Sequence, residues 1–179
     1  MPSISQDEKN FLGMAGEFLV AAELNRRHIL SAVTYGTAKS ADVWAFNEGT
    51  HHAVRIEVKT TSIGNRKWAV GIKALLREGW NPDVFWVLVL LPPPHPTTAQ
   101  TNDERRGQHS PRFFVLSSKE LAEPVCSRHD LYRAKYLERN NKEFDDKGGF
   151  YKLFLEEALP FENAWGKLEA RLRESGKLQ

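Results

Sequence analysis

Residues 41–61 read ADVWAFNEGTHHAVRIEVKTT, and this stretch decides the fold. Two runs rich in β-branched and aromatic residues, about 42–46 and 52–60, predict strands. The turn-like residues 47–50, Asn-Glu-Gly-Thr, join them and favour a hairpin. A further run at about 30–35 has the same character, so we expect three consecutive strands that pair as a meander.

Side chains in the strand at 52–60 alternate between an apolar row and a charged row. Successive side chains in a strand point to opposite faces. One face therefore carries Val54, Ile56 and Val58, and the other carries Arg55, Glu57 and Lys59. A solvated outer face would also explain the charged row. Glu57 and Lys59 become candidates for catalysis only in combination with other residues.

Asp42 is the first of those residues, because it begins the preceding strand. With a four-residue turn, we expect Asp42 opposite Arg55 and diagonal to Glu57, on the same face and roughly 7 Å from it. Two carboxylates at that separation can share a metal ion. A slip of one residue would move Asp42 to the other face, so the register decides whether this site exists.

The first helix, predicted at about 7–27, supplies a third acid. Its apolar stripe is predicted to consist of Phe11, Ala15, Phe18 and Ala22. Glu17 lies off that stripe, and its helical neighbours are small or apolar: Gly13, Val20, Ala21 and Leu24. We therefore expect its carboxylate to face inward, where a buried acid needs a metal ion or a cationic partner. Pairing with a lysine or arginine is the structural alternative.

Positive charge is concentrated in the same part of the chain. Residues 26–77 contain nine Lys or Arg and three acids, whereas the whole chain has a net charge of only +2. The cluster consists of Arg26, Arg27, Lys39, Arg66, Lys67, Lys73 and Arg77. Such clusters bind phosphate backbones with release of counterions. The alternative is that they only keep the surface soluble.

The remaining segments predict a mixed β-sheet flanked by helices. The apolar run 84–91 favours a central strand that is covered on both faces. Shorter strands are expected at about 68–72 and 113–116, and a short helix at 73–80. The polar, proline-rich stretch 92–112 predicts an exposed loop. Ser117 and Glu120 form a capping box that opens another helix.

We expect one α/β domain over residues 1–179, with a core at about 7–122 and a helical C-terminal extension at about 123–179. Within that extension, Trp165, Leu168 and Leu172 form a helical stripe.

Composition excludes several other classes of protein. The single cysteine, Cys126, allows neither an internal disulfide nor a multi-cysteine zinc site. The longest apolar run, 84–91, is shorter than the roughly 20 residues that span a bilayer, and the N-terminus does not resemble a signal segment. We therefore expect a cytoplasmic protein with no membrane partner. His51 and His52 lie at a turn, and neighbours on a strand point to opposite faces, so the pair is poorly placed to bind one metal ion. Both are interpreted as surface residues.

Three short motifs resemble the PD-(D/E)xK nuclease superfamily, which includes restriction endonucleases and archaeal-type Holliday-junction resolvases. They are Gly16-Glu17 with Ala21-Ala22-Glu23-Leu24, then Ala41-Asp42-Val43-Trp44-Ala45, and Ile56-Glu57-Val58-Lys59-Thr60-Thr61. The resemblance covers about residues 12–91. It implies a restriction-endonuclease-like fold, Mg²⁺ or Mn²⁺ as cofactor, and hydrolysis of nucleic-acid phosphodiesters.

The resemblance also implies roles for individual residues. Asp42 and Glu57 match the metal-binding acids, with the backbone carbonyl of Val58 as a further ligand. Lys59 matches the catalytic lysine, and Glu17 the acid that many members carry on a helix, where it also supports the metal. Ala41 departs from the family, which often has proline there. The glutamine-containing helix motif is also missing, and Lys73 or Arg77 stands in its place.

Two classes of function follow from these observations. The first is an enzyme that cuts DNA, in restriction, repair or defence against mobile elements. Its nucleic-acid contacts are expected at Arg66, Lys67, Lys39, Lys73 and Arg77. The second is a noncatalytic binding or immunity module with the same fold and a protein partner, since a fold does not fix a function. The sequence leaves a homodimer open and does not distinguish DNA from RNA.

Overall fold

The computed structural model describes residues 5–35, 41–71, 80–92, 110–145 and 150–174. In chain order these residues form α1 (Gln6–Arg26), β1 (Leu30–Val33), β2 (Val43–Asn47), β3 (His52–Ser62), β4 (Lys67–Gly71), β5 (Val84–Leu91), β6 (Arg112–Ser117), α2 (Ser118–Asn140), β7 (Phe150–Phe154), α3 (Leu155–Ala158), a 3₁₀ turn (Leu159–Phe161) and α4 (Gly166–Arg173). The helix predicted at 73–80 and most of the loop predicted at 92–112 lie outside the described residues.

Five strands form the main sheet in the order β1-β2-β3-β5-β6. The pair β3–β5 is parallel, and the other three pairs are antiparallel. A second sheet consists of β4 and β7, which pair antiparallel. The predicted meander of β1, β2 and β3 is therefore confirmed, as is the mixed sheet flanked by helices.

Strand β5 lies between β3 and β6, and all eight of its residues are buried. Its side chains alternate between two apolar clusters, one on each face of the sheet. Helices α1 and α4 cover the first face, which contains Ile56 and Val87. Helix α2 and the small β4–β7 sheet cover the second face, which contains Trp86 and Leu88. The prediction of a strand covered on both faces is confirmed, including its bounds.

Helix α1 packs on the sheet through a different stripe from the one predicted. The residues buried are Gly16, Val20, Ala21 and Leu24. Phe11 and Phe18, which belong to the predicted apolar stripe, are 71% and 47% exposed. The stripe was predicted from its large apolar side chains, whereas the helix packs through Gly16 and through three of the small or apolar neighbours of Glu17, which were expected to pack closely.

The predicted helical extension at 123–179 is only partly helical. Strand β7 interrupts it and pairs with β4, from Lys67 opposite Phe154 to Gly71 opposite Phe150. Helix α4 then returns to the main sheet, and the predicted stripe of Trp165, Leu168 and Leu172 is buried in the first cluster. Strand β7 was missed because its partner lies about 80 residues away in the sequence, and single-sequence periodicity carries no information on such pairing.

Candidate active site at the open edge of β3

The register of β2 and β3 differs from the prediction by two residues. Val43 pairs with Ile56 and Asn47 pairs with His52, so that Trp44, not Asp42, lies opposite Arg55. The error arose at the turn, because Asn47 extends the strand instead of opening the loop. Its side-chain Oδ1 accepts hydrogen bonds from the backbone N–H groups of Gly49 and Thr50. A shift by two residues conserves the face of every side chain.

Asp42 lies where β2 separates from β3. Its N–H donates to the carbonyl of Ile56 over 3.0 Å. Its carboxylate Oδ2 accepts a hydrogen bond from the backbone N–H of Val58 over 2.8 Å. The side chain of Asp42 thus takes the place that a backbone carbonyl of β2 would occupy in a continued ladder. Only 6% of Asp42 is exposed, so this carboxylate is held in a defined position.

Beyond Ile56, β3 continues to Ser62 and pairs with β5 alone among the described strands. The N–H and C=O groups of one strand residue point to the same edge of the strand, because a hydrogen-bonded antiparallel pair exchanges both bonds between the same two residues. The carbonyl of Val58 therefore points to the same open edge as its N–H, toward Asp42. A carboxylate and a backbone carbonyl are thus directed to one edge of the strand.

Glu57 and Lys59 flank Val58 and share the face of the sheet that carries Trp86. The Lys59 Nζ lies 4.0 Å from Glu57 Oε2 and 5.6 Å from the centre of the Trp86 ring. Both charged side chains are partly exposed, at 36% for Lys59 and 26% for Glu57. The opposite row, Val54, Ile56 and Val58, is buried. The predicted separation of the two rows is confirmed.

Helix α1, which carries Glu17, contacts β3 on the face opposite to Glu57 and Lys59. A Cβ atom added to Gly16 would lie 1.9 Å from the Oγ1 atom of Thr60. Only glycine therefore lets the helix cross the strand at this distance. Glu17 follows Gly16 and is partly buried. Thr60 Oγ1 is itself buried and has no hydrogen-bond partner within the described part of the chain.

The oxygen atoms around Val58 match the ligands of a hard divalent cation. Mg²⁺ typically binds one or two carboxylates and keeps several waters. Asp42, Glu57 and the Val58 carbonyl are oxygen ligands of this type on neighbouring residues of the β2–β3 pair. Among the residues that the structure describes, no three His, Cys, Asp or Glu side chains are grouped so that they could hold one ion. Glu17 therefore does not complete a three-carboxylate cluster with Asp42 and Glu57.

The basic residues predicted to bind nucleic acid are only partly described. Arg66 lies in the turn after β3, with φ of 47°, and its Nη2 is 3.2 Å from Glu156 Oε1 in α3. Lys67 begins β4. Lys39, Lys73 and Arg77 lie outside the described residues. A nucleic-acid role for these five residues stays a prediction.

Sequence reasoning missed two residues that shape the site. Trp86 was not singled out, although it aligns with Glu57 in the parallel ladder and packs beside Lys59. Thr60 was quoted within a motif and given no role. The parallel register determines the position of Trp86, and no local signal in the sequence gives that register. The pairing of Gly16 with Thr60 depends equally on how the helix crosses the sheet.

The interpretation of His52 as a surface residue is wrong. His52 is buried, and its Nε2 lies 2.7 Å from Asp83 Oδ1 while its Nδ1 lies 2.9 Å from the carbonyl of Glu174. Arg171 also binds Asp83, with Nε at 2.7 Å from Oδ1. Burial by itself would raise the pKa of Asp83, but hydrogen bonds from Arg171 and His52 lower it below its ordinary value. This cluster lies at the start of β3, at the opposite end from Lys59.

No protein-family model matches the chain, and no curated protein matches it either. Within the described ranges, no helix combines the length and the apolar character needed to cross a membrane. The chemistry around Val58 is therefore the basis for assigning a function.

Proposed function

We propose that this protein is a magnesium-dependent nuclease with a restriction-endonuclease-like fold. Asp42, Glu57 and the carbonyl of Val58 would hold Mg²⁺ or Mn²⁺, and Lys59 would act on the scissile phosphate. The observation that carries the proposal is the 2.8 Å hydrogen bond from the Val58 N–H to the carboxylate of Asp42. It brings the carboxylate of the residue that precedes β2 to the middle of the Glu57-Val58-Lys59 segment.

The metal and the lysine would have separate roles. When bound, a divalent ion supplies Lewis-acid polarisation of a phosphate oxygen and lowers the pKa of a water molecule that attacks phosphorus. The ammonium of Lys59 offsets the negative charge that grows on the phosphate oxygens. Its contact with Glu57 and the Trp86 ring restricts where that charge can lie. Partial exposure leaves Lys59 accessible to a polymer substrate.

Glu17 would support this chemistry from α1. The close contact at Gly16 fixes the helix against β3, which carries Glu57 and Lys59 on its opposite face. Because Glu17 does not form a three-carboxylate cluster with Asp42 and Glu57, we assign it to a second ion or to a water in the site. Replacement by Gln should therefore reduce cleavage less than loss of Asp42 does.

A nucleic acid is the favoured substrate, because its phosphodiester backbone is negatively charged and the site lies in a positively charged segment of the chain. Nine Lys or Arg occur between residues 26 and 77, the same segment that contains Asp42, Glu57 and Lys59. Neutralising a phosphate backbone releases counterions and gives affinity that falls with salt. DNA is proposed as the substrate, with the protein acting in restriction, repair or defence against mobile elements.

The test is incubation of purified protein with plasmid, single-stranded and branched DNA, with Mg²⁺ and with a chelator. We expect cleavage of at least one substrate only in the presence of the metal. Lys59→Ala should abolish most of it, whereas Lys152→Ala, which changes an exposed lysine on β7, should not. DNA binding without metal-dependent cleavage of any substrate would contradict the proposal and favour the noncatalytic module.

A further inference from the structure

The outward face of α1 is apolar over three helical turns. Between residues 11 and 22, the exposed positions of the helix are Phe11, Met14, Ala15, Phe18 and Ala22. None of them is charged. Phe11 is 71% exposed and Phe18 is 47% exposed, and Tyr35, 70% exposed, lies with its ring centre 6.2 Å from that of Phe18. A solvent-facing helix surface normally carries polar residues, so a contiguous apolar face of this kind marks an interaction site.

Charged residues lie at both ends of this face and differ in sign. Asp7 lies in the first turn of α1, and Arg26 lies in the last. Both are exposed. At 100° per residue, they project on the same side of the helix as Phe11 and Phe18. The face is therefore acidic at one end, apolar in the middle and basic at the other end.

Such a face is complementary to itself when two copies run antiparallel. A two-fold axis between Gly16 and Glu17 would place Asp7 of one copy opposite Arg26 of the other. The same axis would place each Phe11 opposite Ala22 and each Phe18 opposite Ala15. Large residues would then meet small ones, and each acid would meet a base. An isologous interface of this kind is the commonest form of homodimer.

We propose that the chain forms a two-fold symmetric dimer through the outward face of α1. The inference does not depend on nuclease activity. Gly16 and Leu24, which face the sheet, stay covered by β3 and its neighbours in such a dimer. The face consists of five exposed residues of one helix together with Tyr35, Asp7 and Arg26, whereas a standard interface uses about 20–30 residues from each partner. We therefore expect a reversible dimer with a dissociation constant of about micromolar order.

Sedimentation equilibrium of the full chain over a range of concentrations tests the proposal. Wild-type protein should dimerise reversibly. Phe18→Glu should raise the dissociation constant by about 30-fold or more, as expected for loss of a central aromatic contact. Leu131→Glu is the matched control, because Leu131 is an exposed apolar residue on another helix, α2. Thermal unfolding of both variants checks that each is folded.

A charge exchange tests the antiparallel arrangement separately. Asp7→Arg and Arg26→Asp should each weaken the dimer, and the double variant should restore it. Arg26 also binds Glu23 within its own helix, so dimer affinity and not stability is the readout.

A wild-type protein that stays monomeric overturns the proposal, as does a dimer that Phe18→Glu leaves intact. If the protein is monomeric and Phe18→Glu weakens DNA binding, the face contacts nucleic acid instead. Failure of the double variant to restore the dimer overturns the antiparallel pairing.

Discussion

At the scale of single residues, Asp42 has a structural role as well as the proposed chemical one. Its carboxylate accepts a hydrogen bond from the N–H of Val58. The pairing of β2 with β3 ends at Val43 and Ile56, so Val58 has no pairing partner in β2. A buried backbone N–H without an acceptor is costly, so the carboxylate stabilises the point where the two strands diverge. The same atoms that complete the ladder would hold the metal ion, and loss of activity on mutation must be separated from loss of stability.

Two substitutions at Asp42 make that separation. Asp42→Asn keeps a side-chain oxygen that can accept from the Val58 N–H, so its free energy of unfolding should stay close to that of the wild type. Asp42→Ala leaves the N–H without an acceptor and should cost about 1–3 kcal/mol. Urea unfolding measures both. An alanine variant as stable as the wild type would show that the hydrogen bond contributes little.

At the scale of elements, the contact between α1 and β3 is the feature that aligns helix and strand. Gly16 allows the close crossing over Thr60, whereas Gly13, one turn earlier on the helix, has open space around the position of a Cβ. Two glycines of the same helix therefore have different roles. One is required by packing, and the other only lowers helix propensity.

Substitution by alanine should distinguish the two glycines by the sign of the change. Gly13→Ala should stabilise the protein by about 0.5–1 kcal/mol, because alanine is the better helix former. Gly16→Ala gains the same propensity but forces a Cβ against Thr60, and should cost about 1–3 kcal/mol overall. Thermal or urea unfolding compares them. Equal stabilisation by both would mean that α1 does not approach β3 at Gly16.

The two faces of β3 should also respond differently to mutation. Ile56 is buried in the apolar cluster between the sheet and α1. Ile56→Asp places an unpaired charge there and should prevent folding. Glu57→Ala changes the partly exposed charged row and should leave the protein folded. Circular dichroism and unfolding curves of the two variants test this contrast, and equal destabilisation would favour a purely structural role for Glu57.

Several elements could be predicted from the sequence, and others could not. The bounds of β5 and the capping box of Ser117 with Glu120 follow from local signals and are confirmed. The position of Asp42 along β3 depends on register, which was wrong by two residues because Asn47 served the strand and the turn equally well. The buried face of α1 and the existence of β7 depend on tertiary contacts, which periodicity does not encode.

At the scale of the whole molecule, the C-terminal segment is tied to the sheet by polar contacts as well as by its apolar stripe. Arg171 of α4 and His52 of β3 both bind Asp83, and His52 also contacts the carbonyl of Glu174. Arg112 of β6 binds both carboxylate oxygens of Glu162, each over 2.7 Å. These contacts join residues far apart in the sequence, so none of them could be read from a local motif.

The Asp83 cluster predicts how stability depends on pH. Burial opposes ionisation of Asp83, but its bonds to Arg171 and His52 lower its pKa in the folded state below the ordinary value of 3.8. The ionised carboxylate therefore stabilises the fold above pH 3.8, and this contribution is lost as pH falls through the lowered folded pKa. Asp83→Asn should be less stable than the wild type at neutral pH, and the difference should shrink in acid. Urea unfolding over a pH series measures it. A difference that is constant with pH would contradict this role of the charge.

Asp42 is proposed as a metal ligand and Lys59 as a catalytic cation. Calorimetric titration of Mg²⁺ or Mn²⁺ into the wild type and a variant of each residue distinguishes these two roles directly. Wild-type protein should bind the ion, and Asp42→Asn should bind it much more weakly. Lys59→Ala removes a charge but no ligand, so it should keep the metal while cleavage falls by about 10²-fold or more. Absence of binding to the wild type, or equal affinity in Asp42→Asn, would contradict the assignment of Asp42, Glu57 and Val58 as a metal site.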